Sequence, residues 1–133
     1  EIRLSLVGSE MCIRDSSMGS NLSFRYLTSH HTDAQPHVVK YVSLASEFYR
    51  DPIPQLQQFP KSVQTLVIGG QIFGASGDWA VSIDGVKRFE KALRAANIPS
   101  TLYIYHGTPL GAYHSSLHQN PYVDARILAF LFT

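Results

Sequence analysis

Three apolar runs, each the length of one buried strand, alternate along this chain with stretches of helical periodicity. They are VVKYVSLAS at residues 38–46, SVQTLVIGG at 62–70 and STLYIYHG at 100–107. A near-continuous apolar run, rather than a strict alternation, marks a strand covered on both faces. Each run closes on small or turn-forming residues, the second on a glycine pair. In an α/β sheet those closing points carry the ligand-facing loops.

The intervening segments read as helices. Val86, Phe89, Leu93 and Ala96 share one helix face, and Lys87, Arg88, Glu90, Lys91 and Arg94 fall mostly on the other. Asn97 suits a left-handed C-terminal position, and Pro99 stops continuation. The last segment, NPYVDARILAFLFT, offers Asn120 as a cap and Pro121 at the first helical position. Val123, Ile127 and Leu131 follow as a stripe. A first helix is expected near Met18, with Leu22 and Tyr26 on one face. The order is helix, strand, helix or loop, strand, helix, strand, helix. It predicts an α/β fold in which parallel strands alternate with crossover helices.

Composition narrows the function classes. The net charge is +1, and only 16% of the 133 residues are charged. A protein that binds nucleic acid by neutralising phosphates needs a basic face, so no nucleic-acid partner is expected. No apolar run reaches the ~20 residues of a membrane span. A single cysteine, Cys12, allows no intrachain disulfide and argues against a cysteine zinc site. No metal or cofactor is called for.

Three strands would make a thin sheet, and the helix at Met18 has no strand to feed it. The segment before it, GSEMCIRDSS, makes a poor strand, because Glu10, Arg14 and Asp15 break any alternation. It resembles instead the translation of a transposon-end tag used in preparing sequencing libraries. That tag accounts for the ten residues from Leu6 to Asp15 and most of the Ser16 codon. Residues 1–16 are therefore expected to be artefactual and unstructured. Residues 17–133 are expected to be the C-terminal half of a larger domain, with the N-terminal half missing and the fragment inactive alone.

The first residue past that boundary is Ser17, in SMGSNLSFRYL. A nucleophile elbow reads G-x-S-x-G, and Ser17-Met18-Gly19 supplies its second half. Such a serine sits on a tight strand-to-helix turn with Oγ exposed. The helix N-terminus favours developing negative charge, and the Met18 N–H is a candidate oxyanion donor. Ser17 as a plain helix cap is the competing reading. After the second strand comes IGGQIFGASGDWAVS, where Asp78 is the candidate acid and Asp84 the weaker one. An ordinary turn aspartate is its alternative. After the third strand comes YHGTPLGAYHSSLHQNPY. His114 lies in mid-loop, where a catalytic histidine belongs. His106 stands at the strand end, and His118 reads as a residue of the helix approach. Ser17, Asp78 and His114 follow the order Ser…Asp…His.

At this point the chain resembles the C-terminal half of an α/β-hydrolase, and within that fold the dienelactone hydrolase-like, serine esterase branch. GAYHSSL is similar to that branch's histidine loop, GDWAVS to its acid loop, and LRAANIPSTLYIYHG to the passage before the histidine loop. The acid usually stands three residues after a loop glycine. Counted from Gly74 that position is Gly77, so the GGQIFGAS loop is longer or differently registered. The resemblance implies a carboxylic ester hydrolase working through an acyl-enzyme on a small-molecule ester. Ser17 is then the nucleophile, His114 the base, Asp78 its orienting acid and Met18 the oxyanion donor. Trp79, Tyr113 and Phe73 are candidates to line the acyl pocket, with core packing the preferred reading for Phe73.

Two other classes stay open on the sequence. One is a catalytically dead hydrolase relative acting as a binding module. The other is a nucleotide- or flavin-binding α/β domain, although IGGQIFGASG lacks both G-x-G-x-x-G and P-loop spacing. Oligomeric state is open. Location is open too, with a lean to the cytoplasm.

Overall fold

The computed structural model describes residues 3–7, 10–16, 18–29, 38–46 and 56–133. Strands β1 (Arg3–Val7), β2 (Glu10–Ser16), β3 (Val38–Leu44), β4 (Gln64–Ile72) and β5 (Ser100–Gly107) form one sheet in that order. β1 runs antiparallel to β2, and β2 through β5 are mutually parallel. The helices are α1 (Met18–Ser29), α2 (Ile83–Ala95), the short α3 (Pro109–Ala112) and α4 (Pro121–Leu131), with a 3₁₀ turn at Leu117–Gln119. Among the described residues no helix is long and apolar enough to cross a membrane.

Helices cover both faces of the sheet. On one face Phe24 and Leu27 of α1 and Val86, Phe89 and Leu93 of α2 meet Tyr41 and Val67. On the other, Val123 and Ile127 of α4 and Leu117 meet Val42, Leu44, Leu66 and Ile68. The strands obey the two-residue period, with one exception. Val38 and Tyr41, an odd number of residues apart, belong to the same cluster. The register with β2 shifts between Met11 and Cys12, and Val39 is the extra residue that turns the strand over.

Caps are where the sequence puts them. Asn120 Oδ1 accepts from the amides of Tyr122 and Val123 at the start of α4, and Pro121 opens the helix. Asn97 has φ 61°, the left-handed stop after α2. Lys40 donates to the carbonyls of Phe130 and Leu131 at 2.7 and 3.2 Å, on the negative end of α4.

Three expectations are corrected. Residues 1–16 are not simply unstructured, because β1 and β2 occupy most of them. Backbone pairing to β1 on one side and β3 on the other replaces side-chain alternation as the organising force. Arg14, which spoils that alternation, pairs with Asp124 of α4 at 3.0 Å. Leu22 and Tyr26 share a face of α1 as expected, and that face is exposed; the buried face carries Ser23, Phe24, Leu27 and Thr28. Glu90 leaves the charged face of α2. It is buried, held by Arg94 and by the Ser100 hydroxyl at 3.0 Å. Phe73 is 70% exposed and takes no part in the core.

The glycine pair lies inside β4 rather than closing it. A Cβ on Gly69 would stand 2.9 Å from Ile83 Cδ1 of α2, and one on Gly70 2.7 Å from the Ala112 carbonyl. The missing side chains let α2 approach one face and the segment after β5 approach the other.

Candidate active site

The carboxyl ends of the parallel strands β2, β3, β4 and β5 lie along one edge of the sheet, where open α/β sheets bind ligands. The segment after β4 carries Asp78, and the segment after β5 carries His114. His114 Nδ1 stands 2.8 Å from Asp78 Oδ2. A carboxylate only accepts, so Nδ1 carries the proton and donates it. That leaves Nε2 as the basic nitrogen of the ring. The backbones are joined as well: the His114 amide donates to the Asp78 carbonyl at 3.1 Å.

Asp78 is 1% exposed and its other oxygen is fully used. Oδ1 accepts from the amides of Ala80 at 2.9 Å and Val81 at 2.6 Å. A buried carboxylate without such donors would be costly. The sequence builds this cradle locally. Gly77 pairs with Ser82 in a bridge, and a Cβ on Gly77 would run into the Val81 carbonyl. The Ile72 amide donates to Gly77, and the Ile83 amide to Ser76. Trp79 sits at the tip with φ 72°, a left-handed conformation rare for a bulky side chain. Asp84, the weaker candidate acid, lies exposed in the first turn of α2.

His114 is held from below and behind. The short α3 packs over Gly70, and Leu117 seats in the core beneath it. Asn120 Nδ2 donates to the Gly111 carbonyl at 3.0 Å while its Oδ1 caps α4. Asn120 is 5% exposed, so one buried amide ties the histidine segment to the last helix. The sequence signals only the cap at Asn120; its second bond crosses to another segment and leaves no local signature. The Phe73 amide donates to the Gly107 carbonyl at 2.9 Å, locking the two segments at their roots.

The remaining site residues fall as follows. Ser17 lies outside the described residues, between the end of β2 at Ser16 and the start of α1 at Met18. Met18 opens α1, so its N–H is among the donors that a helix leaves without an internal partner. Trp79 and Tyr113 are 66% and 39% exposed, with ring centroids 5.6 Å apart and planes at 64°. His106 is exposed at the end of β5, and His118 is exposed in the 3₁₀ turn, its carbonyl 3.4 Å from Arg14 Nη2. A cleft of about 370 Å³ runs along the acid segment, walled by Trp79, Ser76 and Ala80. It touches neither Tyr113 nor His114.

The fold is similar to a crystal structure of the product of the gene lin2722 from Listeria innocua, with a TM-score of 0.70 at 17% identity. The similarity covers 92% of this chain and 58% of that one, so the chain spans little more than half of that structure. At that identity the likeness bears on fold. No curated protein matches the sequence. Residues 49–133, which include Asp78 and His114, match the family described as "Alpha/beta hydrolase of unknown function (DUF915)". An α/β sheet with helices on both faces, the carboxyl ends of its strands aligned, and a family match over most of its length together make this chain a member of that alpha/beta hydrolase family.

Proposed function

We propose that Ser17, His114 and Asp78 carry out acyl transfer from a carboxylic ester to water. The observation that supports this most is the 2.8 Å contact between His114 Nδ1 and the buried Asp78 carboxylate, on segments that follow adjacent parallel strands. A strand that ends at Ser16 and a helix that opens at Met18 support reading Ser17, the residue between them, as the serine of a nucleophile elbow.

In this reading His114 Nε2 takes the Ser17 hydroxyl proton as Oγ attacks the ester carbonyl. The Met18 N–H stabilises the oxyanion, and the positive end of α1 adds to it. The tetrahedral intermediate collapses, His114 returns its proton to the leaving alcohol, and Ser17 is left acylated. Water, activated by the same nitrogen, then releases the acid. Asp78 stays ionised throughout; it fixes the tautomer and stabilises the imidazolium. The runs GAYHSSL and GDWAVS favour a dienelactone hydrolase-like esterase as the closer kin.

Because the chain spans 58% of its Listeria counterpart, the activity is proposed for the full-length protein. The test is turnover of p-nitrophenyl acetate by that protein and its Ser17→Ala variant. The expected result is an acyl-enzyme burst in the wild type and none in the variant. Equal turnover in the two would overturn the assignment.

A further inference from the structure

The exposed apolar side chains around the histidine–aspartate pair do not form a smooth surface. Trp79 follows the acid directly and Tyr113 precedes the histidine directly, and both residues are exposed, Trp79 the more so. Their centroids are 5.6 Å apart at an interplanar angle of 64°. Two rings in that edge-to-face arrangement form a corner. A third flat ring stacked on either one meets the other at a steep angle. Offset stacking and edge-to-face contact are the two geometries that aromatic pairs favour, at centroid distances of ~4.5–7 Å. A saturated ring of the same size would gain the buried area but neither quadrupole contact.

The corner is also held in place. Trp79 keeps its left-handed backbone because the amides on its C-terminal side, Ala80 and Val81, are bonded to Asp78 Oδ1. Strained backbone of this kind persists where its surroundings over-determine it, and it clusters at ligand sites. The two segments that carry the corner hold little charge. Residues 73–82 and 108–120 contain no lysine or arginine, and their one carboxylate, Asp78, is buried against His114. Neither segment offers a cation to an acidic substituent or an exposed anion to a basic one.

We infer that the Trp79–Tyr113 corner selects esters carrying a neutral aromatic ring. This inference rests on the proposed esterase reading. The ring belongs to either the acyl or the alcohol half of the ester, and matched pairs distinguish the two. Ethyl phenylacetate against ethyl cyclohexylacetate tests the acyl side, and benzyl acetate against cyclohexylmethyl acetate the alcohol side. On one side the aromatic member should have a kcat/KM about threefold to tenfold higher. The preference should collapse in Trp79→Leu and Tyr113→Leu and survive in part in Trp79→Phe.

A second readout needs no chemistry. Trp79 is the chain's only tryptophan. Its emission, taken as wild type minus Trp79→Phe on a Ser17→Ala background, should be quenched or shifted to the blue by benzyl alcohol and much less by cyclohexylmethanol. Equal kcat/KM within both ester pairs, or an equal emission response to the two alcohols, would overturn the inference. A protein that turns over none of these esters yet shows the selective emission response would contradict the esterase reading and leave the aromatic corner standing.

Discussion

The two segments that meet at the site are built in opposite ways. The acid segment, residues 73–82, is held mostly by its own backbone: the Gly77–Ser82 bridge, the Asp78 cradle and the bonds from Ile72 and Ile83 close on themselves. The histidine segment, residues 108–120, is held from outside, by Gly70 beneath it, by Leu117 in the core and by Asn120 at its far end. The difference fits the roles proposed for them. An orienting carboxylate must stay buried and fixed. A base that moves a proton between Ser17 and the leaving group must face solvent, and the His114 side chain is 22% exposed.

That contrast can be broken in order of effect. His114→Ala removes the base and should lower kcat by about 10⁴-fold or more, measured on p-nitrophenyl acetate. Asp78→Asn keeps the size of the side chain but costs the correct tautomer, with an expected loss of about 10³- to 10⁴-fold. Gly77→Ala should disrupt the self-closed acid segment, because its Cβ meets the Val81 carbonyl. We expect it to cost about 3 kcal/mol in urea unfolding, at the upper end for an overpacked site. Gly70→Ala pushes on the histidine segment from below, 2.7 Å from Ala112 O and Leu117 Cδ1. It should cost about 1–3 kcal/mol. Asn120→Asp keeps the cap on α4 but turns the donor to Gly111 into an acceptor. It should cost about 1–2 kcal/mol. If the two segments are built as described, Gly70→Ala and Asn120→Asp should shift the His114 imidazole resonances in NMR more than Gly77→Ala shifts those of Leu117.

Much of this was legible in the sequence because the signals were local. The run STLYIYHG is strand β5, and Asn120 with Pro121 starts α4, since caps and apolar runs act over a few residues. Asp78 and His114 could be singled out because each follows a strand, and ligand loops follow strands at one edge of the sheet. What could not be read came from distant partners. Glu90 resembles any surface charge until Ser100, ten residues on, closes over it. Phe73 looks like core because it is large and apolar, yet a turn carries it outward. The segment before Ser17 reads as a poor strand from its side chains, whereas its pairing with β1 and β3 is a matter of backbone. The glycine pair looked like punctuation; its function is to let two segments approach one strand from opposite faces.

The central claim is that Ser17 is a nucleophile activated by His114. The most direct measurement is mass-spectrometric mapping of a fluorophosphonate adduct on the full-length protein. The account predicts the adduct on the Ser17 peptide, at a level that falls sharply in His114→Ala. Modification of another residue, or labelling of Ser17 indifferent to His114, would contradict it.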